Sequence, residues 1–502
     1  MRFAKAALLS LLLSGAASAP SQAEAPASKA SVSVDFASSR GPRLQVERMN
    51  NLSRARTFPE QRDADVAFFN EQGLHGQIYR VWVDAERIYD PDTGAYNYDG
   101  IDDYLADVSR LSDSLLVVMD TRVSIRDMKR TPAQIKPVIK TIMRDLKQRF
   151  AQIRYIEANN EPDHNLNKVM KPEGLYDYYR VYYEAVNEIN RELKPKVPLE
   201  VGGPALGSYG VPLAPVGGEN LPWLPTFLDS YAADKSPDKR LDFISYHTYG
   251  YFTAEGSYHF IGSDPSEVAK CREQLDEMLR SRGIDIETPL FITELGNYPG
   301  PSFDDKNDPR PDYLRQAAGA ASLLYWFMEQ PRTVPFNWVL RHFSEERKDQ
   351  LITRAGEGKP VPMRTFTPYG NALLMMSKLK AERVAARTNA LANGKGIYAV
   401  ATRDDDGTAV MVWNYQRTGT QVYQVTIDMG ELPVSLRGKS LRQRMYRIDD
   451  KTSNYWGDPE RANLQQISET TIKPGKQHSV TVELTANALQ LVVLELDSAS
   501  AK

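Results

Sequence analysis

Two glutamates stand where short apolar runs of the β type end and loops begin. Glu161 lies in the segment 155–163, with the sequence YIEANNEPD, and Glu294 lies in the segment 289–296, with the sequence PLFITELG. Carboxylates at the loop ends of two separate strands can face each other across one cleft. Cleavage of a glycosidic bond needs such a pair, one carboxyl to protonate the leaving oxygen and one to attack the anomeric carbon or activate water. The two segments therefore predict this chemistry, provided that the rest of the chain positions them.

The overall composition is that of a multidomain globular protein with nearly balanced charge. The chain has 502 residues, with 62 basic and 65 acidic side chains and a formal net charge of −3. This length predicts two or three domains and a substantial core. The balance of charge provides no field for binding nucleic acid or an anionic membrane surface. We therefore expect neither partner, while the association of subunits stays open.

The first 23 residues have the pattern of a secretory signal peptide. A short basic start is followed by the apolar run 6–13 and by small residues up to Ala23, the expected cleavage site. The apolar run is too short to span a bilayer as a helix of the mature protein. The single cysteine, Cys271, cannot form an internal disulfide. We expect a periplasmic or extracellular protein that folds without disulfides and is not stably inserted in a membrane.

Strand-type runs alternate with amphipathic helical stretches between residues 41 and 382. The strand-type runs are 44–49, which is weaker, 78–83, 114–120, 153–158, 199–203, 241–246, 289–293 and 334–339. Such alternation predicts a parallel sheet with helical crossovers, and eight units over about 330 residues fit an α/β fold of the (β/α)8 TIM barrel type. In that fold the loops after the strands form one rim, so Glu161 would follow strand four and Glu294 would end strand seven.

The remaining chain, residues 383–502, contains only strand-type patterns. They occur at 396–402, 408–414, 422–427, 480–484 and 489–496, and the sequence DDDG at 404–407 is typical of a hairpin turn. This predicts an all-β sandwich domain after the barrel. Residues 24–40 are rich in Ala, Ser and Pro and read as a linker or a lead-in strand, in which 31–36 could return to pair with the sandwich.

The two glutamate segments resemble those of the retaining glycoside hydrolases of clan A. The resemblance rests on Asn160-Glu161-Pro162 after the fourth predicted strand and on Thr293-Glu294, followed by Gly296, at the seventh. With the accessory β domain, the arrangement is most similar to glycoside hydrolase family 39, which includes β-xylosidases, α-L-iduronidases and bacterial exopolysaccharide hydrolases. The resemblance covers the chain from about residue 40 onward. It implies retaining hydrolysis of an oligo- or polysaccharide of the plant cell-wall or bacterial exopolysaccharide type, β-xyloside-like or related.

The resemblance also implies roles for individual residues. Glu161 would be the general acid/base and Glu294 the nucleophile. The further residues that would contact the sugar or orient the nucleophile are Asn160 at the 2-hydroxyl, Arg80 and Tyr249 at the nucleophile, His247 after strand six, and Trp338 as an aromatic floor on strand eight. Asn159 departs from the family pattern, which has a tryptophan there. We expect this difference to alter the wall of the cleft and the substrate specificity.

The two carboxyl groups need opposite charge states. Glu161 must carry a proton near neutral pH, so we expect its pKa to be raised, with help from the negative charge of Glu294. Glu294 must stay ionised, which the Arg80 guanidinium and the Tyr249 hydroxyl would favour. Environments that separate two carboxyl groups in this way are what a division into acid and nucleophile requires.

Two other functions are compatible with a barrel of this kind. The first is a non-catalytic carbohydrate-binding or polysaccharide-assembly protein, against which the intact pair of glutamates argues. The second is a metal-dependent hydrolase. The chain has six histidines, and no predicted strand carries a His-x-His or His-x-x-x-His pair of ligands. We therefore expect neither a metal site nor another cofactor.

Overall fold

A computed structural model shows a closed barrel of parallel strands and a second, mainly antiparallel sheet. It describes residues 27–52, 62–207, 222–249, 264–297, 310–341, 349–353, 364–456 and 458–497. The predicted signal peptide, residues 1–23, lies outside the described residues. Among the helices of the described ranges, none combines the length and the apolar character needed to cross a membrane.

Eight parallel strands close the barrel in chain order. The first strand of the chain, β1 (Ser28–Pro42), belongs to the second sheet. The barrel strands are β2 (Met49–Asn51), β3 (Gly76–Asp84), β4 (Ser112–Asp120), β5 (Ile153–Ala158), β6 (Glu200–Leu206), β7 (Phe243–Tyr249), β8 (Leu290–Gly296) and β9 (Thr333–Asn337). Each strand pairs in parallel with the next, and β9 pairs with β2 to complete the circle. The prediction of a (β/α)8 barrel is confirmed.

Helices follow the barrel strands and cover the outer face of the barrel. They are α1 (Arg62–Glu71), α2 (Ala85–Ile88), α3 (Ile101–Ser109), α4 (Arg122–Arg126), α5 (Pro132–Arg149), α6 (Pro162–Asn165), α7 (Pro172–Leu193), α8 (Trp223–Ala233), α9 (Cys271–Arg280), α10 (Arg310–Met328) and α11 (Pro368–Ser377). A capping box opens α5, where Gln134 Oε1 accepts a hydrogen bond from the Thr131 N–H at 2.9 Å. The tyrosine-rich side of α7 faces the barrel, and both Tyr179 and Tyr182 are buried.

The alternation of side chains along the strands creates an inner and an outer core. Outward side chains pack beneath the helices. The inward side chains form an inner apolar layer, which includes Ile78, Leu116, Tyr155, Phe243, Phe291 and Phe336. Two residues further along β3, β5 and β7, the inward positions become polar, with Arg80, Glu157 and Ser245. A polar layer therefore begins above the inner apolar layer, towards the carboxyl ends of the strands, where barrel enzymes carry their active sites.

The first barrel strand begins five residues later and ends two residues later than its apolar pattern predicted. The run 44–49 predicted a strand, but Val46–Arg48 form a 3-10 turn and the strand comprises Met49–Asn51. A polar contact holds this strand in place, since the side-chain amide of Asn51 donates to the Thr293 carbonyl at 2.8 Å. The prediction of a strand over 44–49 is wrong because the pairing of β2 depends on buried polar groups, which an apolar pattern does not reveal.

The second sheet combines β1 with strands from the end of the chain. These are β10 (Glu382–Thr388), β11 (Leu391–Ala392), β12 (Lys395–Arg403), β13 (Gly407–Tyr415), β14 (Tyr423–Gly430), β15 (Leu441–Ile448), β16 (Gln465–Ile472), β17 (His478–Leu484) and β18 (Leu489–Leu496). β1 runs antiparallel to β10 and parallel to β14. Val32 of β1, Val412 of β13 and Ile427 of β14 share one apolar core, so the sheet folds over itself. The prediction of a C-terminal β-sandwich is confirmed.

The two domains pack through a continuous buried junction. Trp413 of β13 donates from Nε1 to the Ser322 hydroxyl of α10 at 2.9 Å, and its ring stacks on Tyr398 with 5.2 Å between the centroids. The side-chain amide of Asn371 in α11 donates to the Ser453 carbonyl at 2.8 Å. Because α10 and α11 follow β8 and β9, the sandwich supports the side of the barrel that carries Glu294.

Candidate active site

The carboxyl ends of β5, β7 and β8 bring two glutamates and one histidine together. Nδ1 of His247 lies 3.1 Å from Oε1 of Glu161 and 3.5 Å from Oε2 of Glu294. This nitrogen and one oxygen of each carboxylate all lie within 4.8 Å of one another. The side chains of His247 and Glu294 are buried, whereas that of Glu161 is 26% exposed. The cluster therefore meets solvent through Glu161.

The separation of the two carboxylates bears directly on the chemistry that they can do. Retaining glycosidases hold the two groups about 5–5.5 Å apart, whereas inverting enzymes need about 6.5–9.5 Å to fit a water molecule. In this site an oxygen of Glu161 and an oxygen of Glu294 lie within 4.8 Å. The short separation suits direct attack by one carboxylate on a sugar that the other protonates.

The backbone around Glu161 has an uncommon conformation. Glu161 has φ of 49° and Asn159 has φ of 61°, both in the left-handed region. For residues other than glycine this conformation is uncommon and costs roughly 1–3 kcal/mol, and such strain clusters at functional sites. The Glu161 N–H donates to the Ala205 carbonyl of β6 at 2.8 Å, and the Glu161 carbonyl accepts from the Asn165 N–H at 2.8 Å as α6 begins. These bonds offset the strain and fix the direction of the Glu161 side chain.

The fully buried Arg80 links Glu294 to the segment Asn160-Glu161-Pro162. Arg80 on β3 donates from Nη1 to Oε1 of Glu294 and from Nη2 to Oδ1 of Asn160, both at 2.7 Å. Its Nε donates to Oε2 of Glu157, also at 2.7 Å. The guanidinium lies over the ring of Trp82, 5.0 Å from its centroid. Charge-assisted bonds of this length hold the Glu294 carboxylate and the Asn160 amide in fixed positions.

A buried tyrosine holds the second oxygen of Glu294. The Tyr249 hydroxyl donates to Oε2 at 2.7 Å. Burial, and after it the negative charge of Glu294, raise the pKa of Tyr249 well above its ordinary value, so the phenol keeps its proton. With Arg80 on Oε1 and Tyr249 on Oε2, both oxygens of Glu294 accept hydrogen bonds at 2.7 Å.

The protonation of Glu161 differs from the prediction made from its role. Burial raises the pKa of Glu161, but the hydrogen bond and charge of His247, with smaller contributions from His164 and Arg122, lower it to about 2. Burial lowers the pKa of His247, but the charge of Glu294 and the hydrogen bond with Glu161 raise it above its ordinary value. The prediction of a raised pKa for Glu161 is therefore wrong for this arrangement. Both directions favour a proton on His247 and a carboxylate on Glu161.

The comparison with protein families agrees with this geometry. The family described as Glycosyl hydrolases family 39 matches residues 126–467, which is more than half of the chain. The chain belongs to glycosyl hydrolase family 39. The members of this family are retaining glycosidases, and the protein is a glycosidase.

Solved structures share the fold over nearly the whole length of this family 39 glycosidase. A family 39 enzyme from Xanthomonas axonopodis pv. citri is 15% identical, with a TM-score of 0.67, over 95% of this chain and 100% of its own. A β-xylosidase from Caulobacter crescentus CB15 is 16% identical, with a TM-score of 0.65, over 93% and 99%. A bacterial orthologue of human α-L-iduronidase is 12% identical, with a TM-score of 0.68, over 94% and 84%. The comparison with curated proteins gives no match.

The residue at which this family 39 glycosidase departs from the family pattern lies away from the cleft. Asn159 is buried, and its Oδ1 accepts from the N–H and the hydroxyl of Thr121 at 2.9 and 2.8 Å. The hydroxyl of Tyr182 on the outer helix α7 also donates to it, at 3.3 Å. Asn159 thus ties the loop after β4 to the helical layer. The expectation that it alters the wall of the cleft is wrong, because its side chain turns outward.

The cluster of Glu161, His247 and Glu294 also has the spacing of a metal-binding group. However, Arg80 donates to Oε1 of Glu294 and Tyr249 donates to Oε2. A divalent cation bound to that carboxylate would displace one of these donors and would be repelled by the buried guanidinium beside it. Within the described residues, these contacts therefore argue against a metal ion at Glu294. They favour a reaction in which the carboxyl groups themselves act on the substrate.

Six of the seven predicted site residues form one hydrogen-bonded network: Arg80, Asn160, Glu161, His247, Tyr249 and Glu294. The seventh, Trp338, lies outside this network. It directly follows β9, is half-buried and packs against the inner apolar layer. Two residues that bond to Arg80 were not among the predicted site residues. Asn51, whose Oδ1 accepts from Nη1 of Arg80 at 3.1 Å, has no local signal. Glu157 has one, because it stands two residues after the inward Tyr155.

Proposed function

We propose that this glycosidase hydrolyses an oligo- or polysaccharide by double displacement, with Glu294 as the nucleophile and Glu161 as the general acid/base. The observation that carries the proposal is that oxygens of the two carboxylates lie within 4.8 Å, which matches the short separation of retaining enzymes. The contacts of Glu294 with Arg80 and Tyr249 support its role, because they favour the ionised form and fix the direction of attack.

In the first step an oxygen of Glu294 attacks the anomeric carbon, while the leaving oxygen departs with a proton from Glu161. Because the shared proton rests on His247, it must first move along the 3.1 Å contact, which leaves a neutral imidazole and a carboxylic acid. In the second step the Glu161 carboxylate takes a proton from the water that displaces Glu294 from the sugar. Asn160, oriented by Arg80, hydrogen-bonds the sugar 2-hydroxyl.

The proposed substrate is a β-xyloside-like or related unit of a plant cell-wall polysaccharide or a bacterial exopolysaccharide. Two structures with the same fold support this class, a β-xylosidase from Caulobacter crescentus CB15 and a glucosidase from Croceicoccus marinus. Trp338 is half-buried, and its backbone N–H donates to the carbonyl of Leu295, the neighbour of Glu294, at 3.2 Å, so its ring offers an aromatic surface for stacking against a sugar.

The decisive experiment is a screen of aryl glycosides and polysaccharides in which proton NMR follows the anomer that forms first. We expect an aryl β-xyloside, or a related β-glycoside, to yield the retained anomer before mutarotation. An inverted first product would contradict double displacement. A retained product from a different sugar would keep the mechanism and change the substrate class.

We also propose that the protein acts in the periplasm or outside the cell, after removal of residues 1–23. The basic start, the apolar run and the small residues up to Ala23 support this proposal. Mass spectrometry of the protein from the cell envelope and the medium should give an N-terminus at Glu24. Recovery of the intact chain from the cytoplasm alone would contradict it.

A further inference from the structure

Below the two catalytic carboxylates lies a third glutamate that double displacement does not use. Glu157 on β5 is 0% exposed, and its Oε2 accepts from Nε of Arg80 at 2.7 Å. Its Oε1 has no hydrogen-bond partner within the described residues. A buried carboxylate with a single ionic partner pays a desolvation penalty that an apolar side chain at the same position would avoid. Its presence in the barrel interior therefore needs an explanation other than packing.

The contact of Glu157 with Arg80 controls where the rest of the guanidinium points. The guanidinium is planar and its donors have fixed directions, so an anchor on Nε sets the positions of Nη1 and Nη2. Nη1 donates to Glu294 and Nη2 donates to Asn160, both at 2.7 Å. A rotation of the guanidinium would therefore move both contacts together.

Glu157 also changes how strongly Arg80 attracts the nucleophile. One guanidinium charge is shared between two carboxylates, Glu157 and Glu294. If Glu157 were neutral, the whole charge would act on Glu294. The Glu294 carboxylate would then be held more tightly and would attack the anomeric carbon less readily.

We propose that Glu157 is a positioning residue that orients Arg80 and offsets part of its charge, and so sets the alignment and the nucleophilicity of Glu294. The inference rests on the proposed function, in which Glu294 is the nucleophile. Other titratable groups also face this network, and they are unchanged in variants of Glu157: Glu161, His247 and Tyr249 around the cleft, and Asp349, whose charge acts on Tyr249.

The test compares Glu157→Gln with Glu157→Asp, using the aryl glycoside that wild type hydrolyses fastest in the screen. Glu157→Gln keeps the length of the side chain and removes its charge. We expect kcat to fall about 10- to 100-fold with little change in KM, because the nucleophile is misaligned. The acidic limb of kcat/KM should move to lower pH, because the charge of Arg80 is no longer offset by Glu157. Glu157→Asp keeps the charge but cannot reach Nε, so kcat should fall while the acidic limb stays in place.

The matched control is Glu47→Gln, which removes another buried carboxylate from an ion pair with an arginine. Glu47 accepts from Arg43 at 2.8 Å, both side chains are 2% exposed, and the pair precedes β2, at the opposite end of the barrel. We expect this variant to lose thermal stability but to keep the kcat of wild type and its pH profile.

Values of kcat within about 2-fold of wild type in both Glu157 variants would overturn the inference. An equal loss of kcat in Glu47→Gln would overturn it too, because the effect would then belong to the fold. If Glu157→Gln does not fold, Glu157→Asp decides alone, and an unchanged kcat would refute the positioning role. Failure of the proposed function would appear differently, as turnover that survives Glu294→Ala.

Discussion

The location of the shared proton predicts how activity responds when His247 is replaced by asparagine. In wild type the proton is lost as the pH rises through the pKa of His247, which lies above its ordinary value of 6.5. In His247→Asn only Glu161 can hold the proton, and its ordinary pKa is 4.5, which burial raises. The ordinary values differ by two units. We therefore expect the basic limb of kcat/KM to move to lower pH by about 1 to 2 units. This shift corresponds to a loss of about 1.4 to 2.7 kcal/mol in the free energy of binding the catalytic proton.

The assay measures kcat/KM from about pH 4 to pH 9 with two aryl glycosides of the same sugar. A phenyl glycoside needs protonation of its leaving oxygen, whereas a 2,4-dinitrophenyl glycoside does not. We expect His247→Asn to shift the basic limb for the phenyl glycoside only. The control is His75→Asn, which removes a half-exposed histidine whose Nε2 lies 3.0 Å from Asp113, outside the site.

Two outcomes would refute this reasoning. If the basic limb stays in place in His247→Asn, the proton was not on His247 and Glu161 carries it by other means. If the limb moves equally for the 2,4-dinitrophenyl glycoside, it reports the nucleophile or the fold instead of the acid. A shift in His75→Asn would likewise show that the effect is not specific to the cleft.

Three further substitutions test other parts of the site. Glu294→Ala should abolish turnover while the protein still folds, because Arg80 keeps its ionic contact with Glu157; a rate like that of wild type would remove Glu294 as nucleophile. Glu161→Ala should slow the phenyl glycoside far more than the 2,4-dinitrophenyl glycoside, and equal losses would argue against an acid/base role. Asn159→Ala should lower the free energy of unfolding in urea by about 2 kcal/mol, because it leaves the buried N–H of Thr121 without its acceptor. Its kcat should stay at the wild-type value, and a lower kcat without a loss of stability would contradict the outward direction of Asn159.

The barrel could be predicted because most of its buried strands have an apolar pattern that is visible within a few consecutive residues. In β3, for example, Ile78 and Trp82 face the inner apolar layer while Val81 and Val83 face the helices, so the run is apolar on both faces apart from Arg80. Buried strands of parallel sheets have this pattern. β2 lacks it, because Asn51 holds that strand to the Thr293 carbonyl, more than two hundred residues away.

The positions of the two proposed catalytic glutamates could be predicted for a related reason, whereas the residues around them could not. Glu161 and Glu294 stand at the ends of strands, which the sequence shows directly. The partner of Glu157 lies 77 residues away, on a different strand. No local pattern pairs Glu157 with Arg80, so the residue looked like one more inward position of β5.

The charge of Glu161 was predicted wrongly because the sequence does not show which cation each glutamate meets. Glu161 lies just beyond β5 and Glu294 near the end of β8, yet the groups that hydrogen-bond to them differ in one chemical property. Glu294 accepts hydrogen bonds from Arg80, which stays charged, and from Tyr249, which keeps its proton, so neither of these donors exchanges a proton with it near neutral pH. His247 lies 3.5 Å from Glu294, farther than its 3.1 Å from Glu161. Glu161 meets His247, the side chain whose charge changes in that range. The proposed division into nucleophile and acid therefore follows from the partners, since two chemically identical glutamates become different only when one of them can receive a proton from its neighbour.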